Sequence, residues 1–351
     1  MKIAVLTSGG VDSSVALNLL KDQGHELKAF YLKIWLEDEL QFLGDCPWEE
    51  DLKYVREICE QLEVPLEVVP MQKEYFDTVV NYTIEEVKSG RTPNPDIMCN
   101  NMVKFGLFLD KIDDSFDKVA SGHYAQVDEE DGVYYLKCSP DKIKDQTYFL
   151  ARLSQAQLGR IIFPIGHLEK SEVRQLADHY NLPNKNRKDS QGICFLGKFK
   201  YNDFIKNYLG IKKGDLVDSE SGEKVGEHDG FWYHTVGQRK GIKLSGGPWY
   251  VVKKDCEKNI VYVSNQYYSD EKARDSLMVG EFNWFSGQFP ASKNLQVKLR
   301  HGEHLHSCQL SRDGIVRLDS PDQGIAPGQF AVFYDKDRCL GSAIILSGLV
   351  D

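Results

Sequence analysis

The stretch Ile3-Ala4-Val5-Leu6-Thr7-Ser8-Gly9-Gly10-Val11-Asp12-Ser13-Ser14 decides the fold. Four consecutive apolar residues predict a buried strand. Two glycines let the backbone turn tightly and come close to a ligand. The apolar spacing that follows predicts a helix from about Val11 to Asp22. A helix starting there aims unpaired N–H groups and the positive end of its dipole at an anion. Leu6, Thr7, Ser8, Gly9, Gly10, Val11, Asp12 and Ser13 are therefore the candidate phosphate-binding residues, and the Ser8, Ser13 and Ser14 hydroxyls add donors. The segment lacks the lysine of G-x-x-x-x-G-K-[ST]. It also lacks the G-x-G-x-x-G spacing of a dinucleotide fold. A plain Ser/Gly turn is the competing reading, and the strand before with the helix after argues against it.

Outward from this point the chain alternates. Leu27 to Leu32 is strand-like, and Trp48, Leu52, Val55, Cys59 and Leu62 recur at helical spacing. Leu66 to Val69 predicts a strand ended by Pro70, and Phe76, Val80, Ile84 and Val87 a helix stopped by Gly90. Val119 to Gly122 predicts the next strand. Alternation of this kind implies a parallel sheet with helices on both faces. After about Lys200 the pattern changes to short strands with turn signals. Trp249 to Val252 and Ile260 to Val263 flank a hairpin connection, and Leu295 to Leu299, Cys308 to Leu310, Ile315 to Leu318 and Phe330 to Tyr334 follow. Asp313-Gly314 is a hairpin turn. This half is expected to be antiparallel, a small barrel or sandwich. The expected architecture is an α/β domain over residues 1–200, a small central domain over 201–274 and a C-terminal antiparallel β-barrel over 275–351.

The 351 residues carry 43 basic and 53 acidic side chains, a net charge of −10, so nucleic acid could bind only where basic residues gather locally. Candidates are Lys142, Lys144, Lys185, Arg187, Lys188, Arg239 and Lys240. The eight cysteines form no C-x-x-C pair, against a zinc ribbon or thioredoxin-type motif. No apolar run is long enough to span a bilayer, and nothing at the start resembles a signal peptide. A cytoplasmic protein with no membrane association is expected.

Two cysteines stand in unusual settings. Cys99 ends Gly90-Arg91-Thr92-Pro93-Asn94-Pro95-Asp96-Ile97-Met98-Cys99, where two prolines stiffen the backbone. A helix is expected to begin near Asn101, which would favour the Cys99 thiolate. Asp96 is placed to relay protons. Cys194 lies in Asp189-Ser190-Gln191-Gly192-Ile193-Cys194, after the basic run Lys185 to Lys188.

The phosphate loop resembles that of the ATP pyrophosphatases. Along essentially the whole chain, SGGVDSS, GRTPNPDIMCN, SGHYA, KDQTYFL, DSQGICFLG, HTVGQRKG, WYVV and PGQFAVFY resemble the tRNA-specific 2-thiouridylases. The segment from Trp35 to Trp48 resembles their cyanobacterial and plastid branch. The resemblance implies an ATP-dependent tRNA-uridine 2-sulfurtransferase that adenylates the C2 oxygen of the wobble uridine and then replaces it with sulfur. It makes Cys194 the persulfide carrier, Cys99 its partner thiol and Asp96 a general acid/base. Cys99 would either attack the persulfide to release sulfide or close a disulfide with Cys194 after transfer. The adenine side falls to Leu32 and Gly122, with leucine where many relatives have methionine. The base and tRNA contacts fall to Asn94, Pro95, Asp96, His123, Lys144, Asp145, Gln146, Arg300, His301 and Gln329. ATP and Mg²⁺ are the implied cofactors. The implied partners are tRNAs of the Lys, Glu and Gln anticodon types and a sulfur-relay protein or cysteine desulfurase. A monomer is expected.

His301, His304, His306 and Cys308 invite a metal reading, but their β-strand context favours packing or RNA contact, and no metal site is assigned. Two other functions compete: a ligase that adenylates a small substrate before amination, needing neither cysteine, and an inactive RNA binder with a relic loop.

Overall fold

The computed structural model describes residues 1–34, 48–189, 201–266, 274–292 and 295–349. Strand β1 (Lys2–Leu6), one residue longer than expected, leads into helix α1 (Val11–Asp22), whose bounds are those expected from the sequence. There follow β2 (Glu26–Lys33), α2 (Trp48–Gln61), β3 (Leu66–Pro70), β4 (Lys118–Ala120) and β7 (Ile161–Ile162), the last reached after the hairpin β5 (Ala125–Glu130) and β6 (Val133–Cys138). The first sheet has the order β3-β2-β1-β4-β7, with every pair parallel. Side chains alternate across a strand. Ala4, Leu6 and Phe30 therefore join one core, while Ile3, Val5, Ala29 and Tyr31 join another beneath α1 and α2. The chain runs outward from β1 through β2 to β3, then returns to lay β4 on the other side of β1. This reversal opens a crevice at the carboxyl ends of β1 and β4, where open α/β sheets bind ligands.

A helix α3 from Gln72 to Lys88 contains a π-helical turn at Phe76–Val80. A helix α4 begins with Pro95–Met98, passes through a π-helical segment at Cys99–Leu107 and ends with Phe108–Lys111. Such segments are rare and often sit at functional sites.

The central domain holds β8 (Gly214–Asp218), β9 (Lys224–His228), β10 (Tyr250–Asp255) and β11 (Ile260–Ser264), in the order β10-β11-β8-β9. The hairpin β10–β11 stands where the sequence put it. The expectation of a wholly antiparallel second half needs correction, because β11 and β8 pair in parallel. The long connection between β9 and β10 provides the crossover that a parallel pair requires.

The last six strands are β12 (Ser276–Trp284), β13 (Leu295–Lys298), β14 (His306–Leu310), β15 (Ile315–Leu318), β16 (Phe330–Asp335) and β17 (Arg338–Leu349). They run β12-β15-β14-β13-β16-β17, and β17 returns to pair with β12, closing an antiparallel barrel. Leu277, Val297, Val316, Phe333 and Ile345 fill it. The β5–β6 hairpin of the first domain extends this sheet through β6–β17. Asn283 and Ser342 of the barrel also donate hydrogen bonds to Ala151 O. The barrel and the first domain are thus fused. Among the described residues no helix is long and apolar enough to cross a membrane.

Candidate active site

The phosphate loop is held by its own hydroxyls and by distant polar groups. Thr7 N donates to Phe30 O at 2.9 Å, fixing the exit from β1. Ser13 Oγ accepts from Ser8 N and donates to Gly10 O, closing the loop on itself. Gly9 has φ +74°, and a Cβ there would stand 2.6 Å from Asp51 O. Only glycine fits. Gly122, just past β4, passes equally close: its Cβ would lie 2.7 Å from Ser13 N. Gly10 precedes α1 with no side-chain cap, so the first N–H groups of the helix remain available to an anion. Leu6, Thr7, Val11 and Ser13 are buried and Ser8 is exposed. Leu32 is half-buried at the same end of the sheet, on β2.

Asp12 faces a charged network that the sequence did not reveal. Its Oδ1 accepts from Tyr124 Oη at 2.9 Å and from Lys170 Nζ at 2.7 Å. Lys170 also contacts Asp189 at 2.8 Å, and Asp189 pairs with Arg174 and Lys144. Burial pushes Asp189 up, but the hydrogen bonds from Lys144 and Lys170 prevail and hold it at about 2. Asn184 Nδ2 donates to Gly9 O and Ser14 Oγ, both at 2.9 Å. Arg187 donates to Gly9 O and pairs with Asp51. Arg187, expected among the basic residues for nucleic acid, is therefore turned onto the loop. The carboxylate of Asp12 beside the anion-binding turn is the hard oxygen donor that a Mg²⁺ ion carrying phosphates would use.

The second group surrounds α4. Asn94 caps the helix: its Oδ1 accepts from Ile97 N at 3.2 Å, and Pro95 occupies the first turn. An Asn-Pro start of this kind satisfies one open N–H and supplies a preset φ. The helix therefore begins at Pro95, not near Asn101. Cys99 lies a turn inside it and is 1% exposed. The thiolate argument from a helix N-terminus weakens accordingly, since that effect fades beyond the first turn. Asp96 sits in the first turn. Asn100 is buried and donates to Phe149 O. His123, beyond β4, hydrogen-bonds Ser121 and packs 5.9 Å from Phe105 of α4. Burial holds its imidazole well below the usual range. The crevice at β4 and the Cys99 helix are thus neighbours. Cys194, the rest of its motif from Ser190 and the segment 35–47 lie outside the described residues.

The residues expected at tRNA divide in two. Arg300 forms a two-pronged pair with Asp322, and the His301 ring packs tilted against Phe149, with centroids 4.5 Å apart; both are exposed. Lys144 pairs with Asp189. Asp145, by contrast, is buried and pairs with the buried Lys298 of β13 at 2.9 Å. The Gln146 amide accepts from Tyr124 N. The Gln329 amide donates to the Thr92 and Pro93 carbonyls and accepts from the Asn94 side chain. His306 uses both ring nitrogens, on Ser320 and Asp322.

Family models match three consecutive parts of the chain: a tRNA methyl transferase HUP domain over 1–198, a tRNA methyl transferase PRC-barrel domain over 202–265 and an aminomethyltransferase beta-barrel domain over 274–345. The chain is 47% identical over 355 positions to tRNA-specific 2-thiouridylase MnmA of Parabacteroides distasonis, covering 99% of each. It is 46% identical over 361 positions to the protein of that name from Porphyromonas gingivalis, covering 99% of this chain and 100% of the other. It is 44% identical to MnmA 1 of Bacteroides thetaiotaomicron, covering 98% and 99%. None of these relatives is cyanobacterial, so they lend no weight to the branch expected from residues 35–48.

Proposed function

The chain belongs to the tRNA-specific 2-thiouridylase family, and on that premise we propose that it uses ATP to replace the C2 oxygen of the wobble uridine of tRNA with sulfur. The observation that carries the ATP step is the uncapped N-terminus of α1 beneath the Ser8–Ser13 turn, closed from the β4 side by Gly122. Backbone N–H groups presented there would stabilise charge on a departing pyrophosphate. Leu32 and Gly122 border the nucleoside end. Asp12 would hold Mg²⁺, whose bound form would neutralise phosphate charge.

Asn94, Pro95 and Asp96 receive the target uridine. Its O2 attacks the α-phosphorus, pyrophosphate leaves, and the poor leaving oxygen becomes AMP. Cys194, loaded with a persulfide by a relay protein or desulfurase, supplies the sulfur nucleophile. Cys99 is its partner thiol, and Asp96 handles the proton. The exposed Arg300 and His301 suit the tRNA backbone and an unstacked base. The matched domain names speak of methyl transfer, but a loop that presents N–H groups to phosphate favours adenylation.

The test is exchange of labelled pyrophosphate into ATP with unmodified glutamate tRNA. Exchange that requires tRNA and is lost in Asp12→Asn supports the reading. Exchange driven by a small carboxylate without tRNA would favour the ligase instead.

A further inference from the structure

Two side chains from a distant part of the chain converge on the carbonyl of Gly9. Asn184 Nδ2 donates to it at 2.9 Å and Arg187 Nη1 at 3.0 Å. A peptide oxygen has two lone pairs, so these bonds use its whole capacity. Both donors stand on the connection that follows the helix Lys170–His179. Arg174 of that helix donates to the carbonyls of Lys185 and Arg187, each at 2.8 Å, and so fixes the connection.

The Gly9–Gly10 peptide lies between two residues without a Cβ, so little within the loop limits its rotation. A trans peptide is planar, with its oxygen and its N–H pointing in opposite directions. Holding Gly9 O towards Asn184 and Arg187 therefore turns the Gly10 N–H away from them. Among the described residues that N–H meets no acceptor. Gly10 immediately precedes the uncapped start of α1, so its N–H joins the open donors of the helix as one more group for an anion.

The supports are themselves held in place. Asn184 is 1% exposed, and its Oδ1 has no partner among the described residues. A buried acceptor left unpaired is destabilising, yet the opposite amide orientation would set that oxygen against Gly9 O. Arg187 pairs with Asp51, and its guanidinium lies 5.3 Å from the Tyr54 ring.

We infer that Asn184 and Arg187 are positioning residues, which lock the Gly9–Gly10 peptide with the Gly10 N–H turned to the pyrophosphate portion of ATP. The inference rests on the ATP reading of the loop given above. A lost hydrogen bond to a charged group weakens binding by about tenfold to a hundredfold. The loss should fall on pyrophosphate and spare AMP, whose nucleoside end is bordered by Leu32 and Gly122.

The experiment uses the full-length protein without tRNA. Calorimetric titration with Mg²⁺ and either inorganic pyrophosphate or AMP gives the two dissociation constants. The variants are Asn184→Leu, which keeps the volume and removes the donor, and Arg187→Met. Asn184→Ser, whose shorter side chain withdraws the donor, stands in where leucine prevents folding. The expected result is a pyrophosphate Kd raised about tenfold to a hundredfold in each variant, with the AMP Kd within about threefold of wild type. Equal losses for pyrophosphate and AMP would overturn the proposal, because they would mean collapse of the whole nucleotide site. A loss confined to Arg187→Met would also overturn it, since the uncharged Asn184 separates orientation of the peptide from plain charge attraction. Wild-type protein that binds no pyrophosphate would overturn the loop assignment itself, and this proposal with it.

Discussion

Replacing Lys298 by methionine should destabilise the protein far more than losing an ordinary ion pair. Lys298 and Asp145 are each 3% exposed and lie 2.9 Å apart across the junction of the barrel and the first domain. At that distance the Coulomb attraction is about 6 kcal/mol for an effective dielectric near 20. Burying both ions costs several kcal/mol each, so the intact pair adds little net stability. Breaking it is another matter. In Lys298→Met the Asp145 carboxylate keeps, among the described residues, Ser139 N and Thr147 Oγ1 as donors and stays buried without the Lys298 counter-charge. That should cost about 3–5 kcal/mol. Asp145→Asn should also destabilise, because it leaves the Lys298 ammonium buried without a counter-charge. The double variant should recover most of the Lys298→Met loss, since it removes the orphaned charge. Urea unfolding followed by tryptophan fluorescence measures all three, with Trp284 packed 5.3 Å from Phe333 in the barrel as a reporter. A Lys298→Met loss below about 1 kcal/mol, the level of an exposed pair, would refute the argument. So would a double variant as unstable as the sum of the singles.

Gly9→Ala must place a Cβ 2.6 Å from Asp51 O at a φ of +74°; ATP should then no longer raise the thermal midpoint, and undiminished protection by ATP would contradict the assigned loop. Asp322 supplies a pH test. Burial pushes its carboxyl up, but Arg300, the Gly324 N–H and His306 together hold it below the usual range. The resulting stability is fully present above the ordinary carboxylate pKa of about 4 and is lost as pH falls through the lower folded value. The stability gap between wild type and Asp322→Asn should therefore close on acidification below about pH 4, and a gap independent of pH would count against the pairing.

Local signals in the sequence were strong where local physics decides. An apolar run, two glycines and periodic Val, Leu and Ala residues placed β1 and α1, and alternation placed the β10–β11 hairpin. Where the sequence misled, a nearer signal had been outweighed. Asn94-Pro95 is a helix start, but two prolines within three residues read as a rigid loop, which moved the helix beyond Cys99. Long-range pairing left no local trace. Nothing in Val133–Cys138 announces that it joins the barrel through β17, and nothing in β8 announces a parallel partner. The same holds at the site. The loop residues were legible, while Lys170, Asn184 and Asp51 reach the loop only through the tertiary fold. Arg187 was visible as part of a basic run, and burial turned it from a surface charge into a support for Gly9. Residue type could not separate the exposed Arg300 from the buried Asp145, because both fall in polar stretches.

The most direct measurement is nucleoside mass spectrometry of unmodified glutamate tRNA after incubation with the protein, Mg-ATP and a sulfur-relay donor. The account predicts 2-thiouridine at the wobble position, dependent on ATP and lost in Cys194→Ser. A wobble uridine left unchanged or methylated by wild-type protein under these conditions would contradict it.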